Sequence, residues 1–581
     1  MAALRFLKSI IPPKNYRPDI DGLRAVAILF VVIFHTFPSL FPGGFIGVDV
    51  FFVISGYLIT QIIIRRIGQP SALSQGANSS SSDTIHKEGN TVCLKVFLAD
   101  FYARRIRRIF PALTFLLIGV LLLGSFILTP QEYKDLGRQV LYGSAFGENF
   151  FLIKNSGGYW DTATEMKPLM HLWTLAVEEQ YYIFYPFICW FIIKKKLSLL
   201  MCLSALCLVS LVLNLLFISS NSIAVFYSLP TRFWELCAGG ILASIGLKKA
   251  EKDNRLANFL QISFVSELST LIGFALVILG LGLSNEGVDY PGWRALFPVF
   301  GTCLIILGRE SKINKYFLSS VPLVFIGLIS YTWYLCHWPL LAVARTLNNG
   351  SLPSLQTCIF LLIAGFGLSL FSFYFIEIPV RTKRISKKLV GALCAILLVP
   401  VTAGMIYSKT NGLPSRAPDY QLEKQAVNTL PEKTESCRKS FDYDGSFCWS
   451  TSSNPSIAVI GDSHAYHLGS GFKKAGLNFI VLGQHGTAPF FDLVKPDQEP
   501  GWKTGSPTQT EKALNIVLTN KEIKTVIISA RWNFVLFNHK LRRASDGTQL
   551  QDREKLFEES LEKLIKQLLA ADKKVVLLKD V

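Results

Sequence analysis

What most limits the fold of this chain is a series of apolar runs separated by short clusters of lysine and arginine. The runs fall at 25–40, 44–64, 110–129, 174–193, 197–218, 230–246, 264–283, 294–308, 321–345, 355–378 and 389–407. Most approach the length an α-helix needs to cross the hydrocarbon of a bilayer. Half of the 581 residues are hydrophobic and only 17% are charged, which is more apolar chain than one soluble core takes up. A net charge of +18 raises nucleic acid as a partner. The basic residues, however, sit between the apolar runs, where cytoplasmic loops carry them. Membrane lipids are therefore the expected partner, and nucleic acid is not.

The clusters alternate consistently. Lys8, Lys14, Arg17 and Arg24 lead into the first run, Arg65 and Arg66 follow the second, and Arg104, Arg105, Arg107 and Arg108 precede the third. Lys194 to Lys196 follow the fourth run, Lys248 and Lys249 the sixth, and Lys312 and Lys315 the eighth, while Lys383 to Lys388 precede the eleventh. Placing all of these inside gives eleven spans, an inside N-terminus and an outside C-terminal domain. The basic, proline-containing lead-in shows no small-residue cleavage site, so the first run reads as a span and not as a signal peptide. The moderately apolar 138–153 reads as a re-entrant or interfacial helix, and the polar, Ser-rich 68–92 as a cytoplasmic loop.

The stretch from Tyr16 to Tyr57 carries the first chemical signal. Arg24 and His35 are eleven residues apart. Eleven steps of a helix return to the same face, about 16 Å further along the axis. One face of the first span thus presents a guanidinium towards one end and an imidazole towards the other. A lone histidine in an apolar run is commonly a packing residue, but an ionisable group at membrane depth is costly and points to function.

After residue 409 the composition turns polar. Residues 409–455 read as a linker or an extension of the next domain, and 456–581 as alternating strands and helices, the pattern of a parallel-sheet α/β domain. Ser463 falls where a strand ends and a helix begins, so its hydroxyl is placed beside helix N–H groups that stabilise an oxyanion. Serine there is equally a helix N-cap. Nine of the eleven cysteines lie in or beside the apolar part, where a thiol packs as a small apolar residue. Cys437 and Cys448 lie in the outer part and form a disulfide if that compartment is oxidising.

Five segments in order, DGLRAVAILFVVIFH at 21–35, GGFIGVDVFFVISGY at 43–57, FYARRIRRIFPAL at 101–113, HLWTLAVEEQYYIFYP at 171–186 and YLCHWPLL at 334–341, resemble the acyltransferase-3 family of bacterial membrane O-acyltransferases. VIGDSHAYHLG at 459–469 resembles the opening motif of SGNH hydrolases. The resemblance implies a multi-pass α-helical membrane domain of about eleven spans over 1–408, followed by an SGNH hydrolase-like α/β domain with a flavodoxin-like sheet over 456–581. It also implies the activity: transfer of an acetyl group from cytoplasmic acetyl-CoA, across the bacterial inner membrane, to a hydroxyl of an envelope polysaccharide. Lipopolysaccharide O-antigen is the first expectation for that acceptor and peptidoglycan the alternative. The C-terminal domain is then periplasmic.

Acyl transfer to a hydroxyl needs a base, and histidine suits that near neutral pH. The expected catalytic residues are His35 with Arg24, Glu178, Ser463 and Asn533. Glu178 and Glu179 orient a histidine or pair with an arginine. His171 and His337 stand in family motifs, where a structural hydrogen bond competes with catalysis. Arg104, Arg105, Arg107 and Arg108 are the expected contacts for the phosphates of acetyl-CoA, since a guanidinium makes paired hydrogen bonds to phosphate. A topology signal and anionic-lipid binding are the plainer roles of that cluster. Gly483, Gly486 and Asn533 are candidate oxyanion donors beside Ser463. No metal is expected. The SGNH pattern departs in one respect: no DxxH follows, and the domain reads as cut short at its C-terminus. A transporter with a glycan-binding outer domain remains the other function class.

Overall fold

The computed structural model describes residues 16–68, 94–155, 164–248, 263–285, 289–348, 350–417, 435–484, 489–490, 493–494, 508–530, 532, 542–543 and 553–578. A helix carries each of the eleven apolar runs. The chain forms two units, the first ending at Arg416 and the second beginning at Ala417.

In the first unit, α1 (Pro18–Thr36), α2 (Gly47–Gly68), α3 (Leu94–Ile127), α4 (Pro130–Ser144) and α5 (Glu148–Lys154) are followed by α6 (Leu172–Lys194), α7 (Leu199–Phe217), α8 (Ser222–Tyr227) and α9 (Leu229–Lys248). Then come α10 (Ser263–Leu283), α11 (Leu296–Leu307), α12 (Val321–Leu347), α13 (Leu355–Phe371), a π-helical turn at Ser372–Glu377, α14 (Ile378–Thr382) and α15 (Lys387–Lys409). Seven of these helical stretches are long and apolar enough to cross a membrane by length and composition: α2, α3, α7, α10, α12, the α13–α14 stretch and α15. The count of eleven is not reached on that measure, for a chemical reason. Among the rest, α1 carries Asp19, Asp21 and Arg24, α6 carries Glu178 and Glu179, and α9 carries Arg232 and Glu235, while α11 has only 12 residues. Charge inside a membrane bundle is kept where it works.

Burial divides the helices in the same way. Leu208, Val209 and Leu216 of α7, Leu271 and Ile278 of α10, Phe360 and Ile363 of α13, and Leu398 and Val399 of α15 are exposed, as lipid-facing side chains are. The interior belongs to α1, α2, α6, α9 and α12. There, fully buried Arg232 donates to Asp49 at 2.9 Å and to Glu235 at 2.8 Å, and Tyr290 donates to Asp49 at 2.7 Å. Buried charge is tolerable when paired in this way, and the cluster ties α2 to α9.

The sequence places the start of the third run at 110, whereas α3 starts at Leu94. The arginine cluster therefore lies on a helix and not in a loop ahead of one. Segment 138–153 is divided between α4, which opens with a Thr129–Glu132 capping box, and α5. Most of the 68–92 loop lies outside the described residues.

Helix α1 packs along α12, and Gly327 permits it: a Cβ there would lie 1.8 Å from the Asp21 carbonyl oxygen. Gly327→Val is expected to force the helices apart and lower the melting temperature in detergent, overpacking costing about 1–3 kcal/mol. Gly367→Ala, where a Cβ meets nothing within 4 Å, is the control expected to leave it unchanged. Equal melting of both variants with wild type would show that the α1–α12 contact is not tight.

The second unit is built on α16 (Glu435–Phe441), β1 (Phe447–Ser450), β2 (Ile457–Gly461), α17 (Ser463–Lys474), β3 (Phe479–Gly483), β4 (Leu493–Val494), α18 (Gln509–Thr519), β5 (Thr525–Ser529), β6 (Arg542–Arg543), α19 (Arg553–Ala570) and β7 (Lys574–Leu577). Residues 435–450, inside the stretch open as linker or extension, thus belong to this unit. The main sheet has the order β1-β3-β2-β5-β7, with β1 antiparallel at the edge and the other pairs parallel. In chain order the parallel strands lie 2-1-3-4, the start of the flavodoxin-like order. Alternation splits the core. Ala458, Ile460, Ile480, Leu482, Val526 and Ile528 face α18 and α19, while Val459 and Val481 face Ala465 and Tyr466 of α17. A Cys437–Cys448 disulfide ties α16 to β1.

Candidate active site

A cavity of about 900 Å³ lies among α1, α2, α3, α6, α12 and α14. It is lined by Arg17, Arg24, Arg65, Arg105, Arg108 and Arg381, against the carboxylates Asp21, Glu178, Glu179 and Glu377. Some of these charges are satisfied locally. Arg24 pairs with Asp21 at 3.0 Å, Arg381 with Glu377 at 2.6 Å and Arg17 with Asp19 at 2.5 Å. Arg65, Arg105 and Arg108 make no ion pair among the described residues. Arg105 instead lies 4.5 Å over the Tyr182 ring, and Tyr182 donates to Glu178 at 3.0 Å.

The structure divides the arginine cluster by helical geometry. Arg105 and Arg108, three residues apart, share the face that lines the cavity. Arg104 turns away to Asp100, and Arg107 donates to the Lys383 carbonyl at 2.6 Å. Of the four expected phosphate contacts, only Arg105 and Arg108 reach the cavity. Glu178 lines it too, but no histidine hydrogen-bonds to it among the described residues; its partner is Tyr182. Arg24 and His35 share α1, and only Arg24 lines the cavity.

Thr174 and Tyr334 form part of the cavity wall, and their hydroxyls lie 2.7 Å apart. Tyr334 also donates to the His171 carbonyl at 2.7 Å. Behind this wall three histidines meet. His35 Nδ1 is 2.9 Å from His337 Nε2, and the His171 and His337 ring centroids are 6.0 Å apart. The hydrogen bonds fix the tautomers. His337 Nδ1 faces the carbonyls of Trp333 at 3.1 Å and Tyr334 at 2.8 Å. Carbonyls only accept, so Nδ1 carries the proton, and Nε2 of the neutral ring is a bare acceptor. His35 Nδ1 must then donate to it, which leaves the His35 Nε2 lone pair free. That nitrogen has no hydrogen-bond partner among the described residues. The arrangement leaves His35 Nε2 with a lone pair that can accept a proton. When it takes a proton, the cation donates to His337, much as an orienting partner holds a catalytic imidazole.

His337 stands in one of the sequence motifs, yet only the fold shows that it meets His35, 302 residues away. Thr174, Tyr334 and Trp338 complete the surroundings; they stand in the motifs at 171–186 and 334–341 without a signal that singles them out there, and Arg345 lies outside both. Trp338 lies 4.6 Å from the His35 ring, and Arg345 donates to the His35 carbonyl at 3.1 Å.

In the second unit Ser463 opens α17 at the end of β2. Strands β3 and β5 flank β2, so Ser463 stands beside the point where the strand order reverses, the usual ligand crevice of such sheets. Gly461 allows the close strand contact there: a Cβ would lie 1.7 Å from the Ser529 carbonyl oxygen. Gly483 ends β3 opposite Gly461. Asn533 and Gly486 lie outside the described residues.

A family model described as an acyltransferase domain matches residues 17–378. The chain belongs to the acyltransferase-3 family. A second model, an SGNH domain fused to such acyltransferase domains, matches residues 434–581. O-acetyltransferase OatA of Staphylococcus aureus is 30% identical over 388 residues, covering 65% of this chain and 59% of that protein. Peptidoglycan O-acetyltransferase OatA of Listeria monocytogenes is 30% identical over 381 residues, covering 63% and 56%. The chain spans under three fifths of the length of these curated relatives. No solved structure matches it. The acyltransferase-3 match takes in the three histidines and, apart from Tyr16 and Arg381, the residues that line the large cavity.

Proposed function

We propose that this acyltransferase-3 protein is an O-acetyltransferase of a cell-envelope glycan, with acetyl-CoA as donor. The observation that carries the reading is His35, oriented by His337 with Nε2 unengaged, close to the Thr174–Tyr334 wall of a large cavity with unpaired arginines. A volume of about 900 Å³ lies within the range of small-molecule sites. Arg105, Arg108 and Arg65 hold the donor's phosphates, and its pantetheine arm runs towards Thr174 and Tyr334. His35 Nε2 takes the proton of an acceptor hydroxyl. The hydroxyl oxygen forms an ester bond to the acetyl carbon, the thioester carbon–sulfur bond breaks, and the proton leaves with the thiolate as free coenzyme A. Peptidoglycan is favoured over O-antigen as the acceptor, because it is the glycan in the Listeria relative's name. In this reading the N-terminus and the cavity mouth face the cytoplasm of a bacterial inner membrane, and the SGNH unit lies outside.

Mass spectrometry of envelope glycans from cells with and without the gene tests the reading. O-acetyl esters on peptidoglycan muropeptides that vanish with the gene are expected. Identical glycans in both strains would overturn it.

Ser463 is assigned a second step, a relay between glycan hydroxyls. Its oxygen forms an ester with the acetyl carbon as the ester bond made at His35 breaks and frees that sugar hydroxyl. A hydroxyl of the final glycan strand then displaces the serine, with α17 N–H groups holding the oxyanion in both exchanges. Ser463→Ala is expected to lower glycan acetylation by about 10²-fold without changing acetyl-CoA affinity. Undiminished acetylation in that variant would make the SGNH unit a binding module.

A further inference from the structure

Beyond the histidines the helical unit holds a second cavity, of about 190 Å³. At roughly 30 Å³ per water that is the share of about six waters, the scale of a single sugar ring. Its wall is polar: Gln131, Glu132 and Asp135 come from α4, Asn155 follows α5, and Lys167 precedes α6. Asp135 accepts from Arg138 through Oδ1, and Glu132 serves its capping box through Oε2. The second oxygen of each carboxylate has no partner among the described residues. Amides and carboxylates around a void of this size are what a ring of hydroxyls requires, since hydroxyls both donate and accept.

The position of this cavity gives it a use. Along α12, Tyr334 lines the large cavity and Thr346 the small one, a separation of about 18 Å on a helix axis, and His337 stands between them. Leading into α6 the order is the same, with Lys167 on the small cavity, then His171, then Thr174 in the first turn on the large one. Two contacts link the wall of the small cavity to His35. Trp338, 4.6 Å from the His35 ring, donates its indole N–H to the Lys167 carbonyl at 2.9 Å. Arg345, next to Thr346, donates to the His35 carbonyl and lies 5.5 Å over Trp338.

We propose that the small cavity is an acceptor subsite that anchors the glycan, taking one pyranose ring so that a neighbouring ring of the same chain is directed past Trp338 to His35 Nε2. It rests on the O-acetyltransferase reading. Donor and acceptor approach from opposite ends of the α1–α12 pair and meet at the histidines, so each site can fill independently.

The test uses the purified full chain in detergent with chitotetraose, a soluble N-acetylglucosamine tetramer, as probe. Saccharide and acetyl-CoA binding are measured separately by calorimetry, and acetyl transfer by mass spectrometry. Asp135→Asn removes a charged acceptor, and Gln131→Trp, at an exposed position, fills the void. Both are expected to weaken chitotetraose binding about tenfold or more while acetyl-CoA affinity stays unchanged. Should Asp135→Asn fail to fold, seen as lost acetyl-CoA binding, Gln131→Trp decides the matter. Wild-type saccharide affinity in the variants, or no saccharide binding by wild type, overturns the proposal. Saccharide binding without any acetyl transfer by wild type overturns the O-acetyltransferase reading alone and leaves the sugar subsite standing.

Discussion

Replacing His35 by alanine is expected to abolish O-acetylation of the envelope glycan while acetyl-CoA still binds. The imidazole lies behind the Thr174–Tyr334 wall and does not line the large cavity, so its loss leaves the donor site untouched. What is lost is the base, and general-base catalysis contributes about 10²–10⁴-fold. The tautomer argument adds a graded partner to this prediction. His337→Phe keeps a ring in place but removes the acceptor that holds His35 Nδ1–H. Its kcat is expected to fall between that of wild type and that of His35→Ala, with the KM for acetyl-CoA unchanged. Quantifying muropeptide acetate by mass spectrometry checks the first variant, and steady-state kinetics check the second. Full acetylation by His35→Ala would remove the base from the mechanism.

The arginine cluster gives the second large effect, and it is a selective one. Arg105→Ala and Arg108→Ala are each expected to weaken acetyl-CoA binding about 10- to 100-fold, the range of a lost hydrogen bond to a charged group. Arg104→Ala and Arg107→Ala are expected to stay within about twofold, because these side chains are committed to Asp100 and to the Lys383 carbonyl. Calorimetric titration of acetyl-CoA separates the two pairs. Equal losses in all four would mean that the cluster acts through net charge at a membrane surface and not by gripping a phosphate.

These predictions show where the sequence was readable. Apolar runs are local, so a helix could be placed on each. How many of them cross a membrane could not be read in the same way, because α1, α6 and α9 carry ionisable groups whose partners come from elsewhere in the chain. Asp49 finds Arg232 183 residues away. The start of α3 was hidden because a polar first half, with Asp100 and four arginines, is still helical once Arg66 pairs with Asp100 across to α2. That same extension decides which arginines face the cavity, so the cluster was legible as a unit but its division was not. The Arg24–His35 spacing was visible as one helix face. The partner of His35 was not, since only the packing of α1 on α12 brings His337 to it. In the second unit, short apolar runs alternating with helical segments marked β2, β3, β5 and β7, while the two-residue strands β4 and β6 carry no such signal. Strand β1 was not separated from the linker, because a four-residue edge strand beside a disulfide carries little periodicity.

The most direct test of the account is transfer in sealed proteoliposomes holding the full chain. Acetyl-CoA labelled in the acetyl group is supplied on the side of the cavity mouth, and chitotetraose on the other. Wild type is expected to produce labelled ester on the saccharide together with an equal amount of free coenzyme A. His35→Ala is expected to bind the labelled donor and produce neither. Labelled ester formed by His35→Ala at the wild-type rate, or intact labelled donor crossing the membrane without ester formation, would contradict an acyl transfer carried out at the paired histidines.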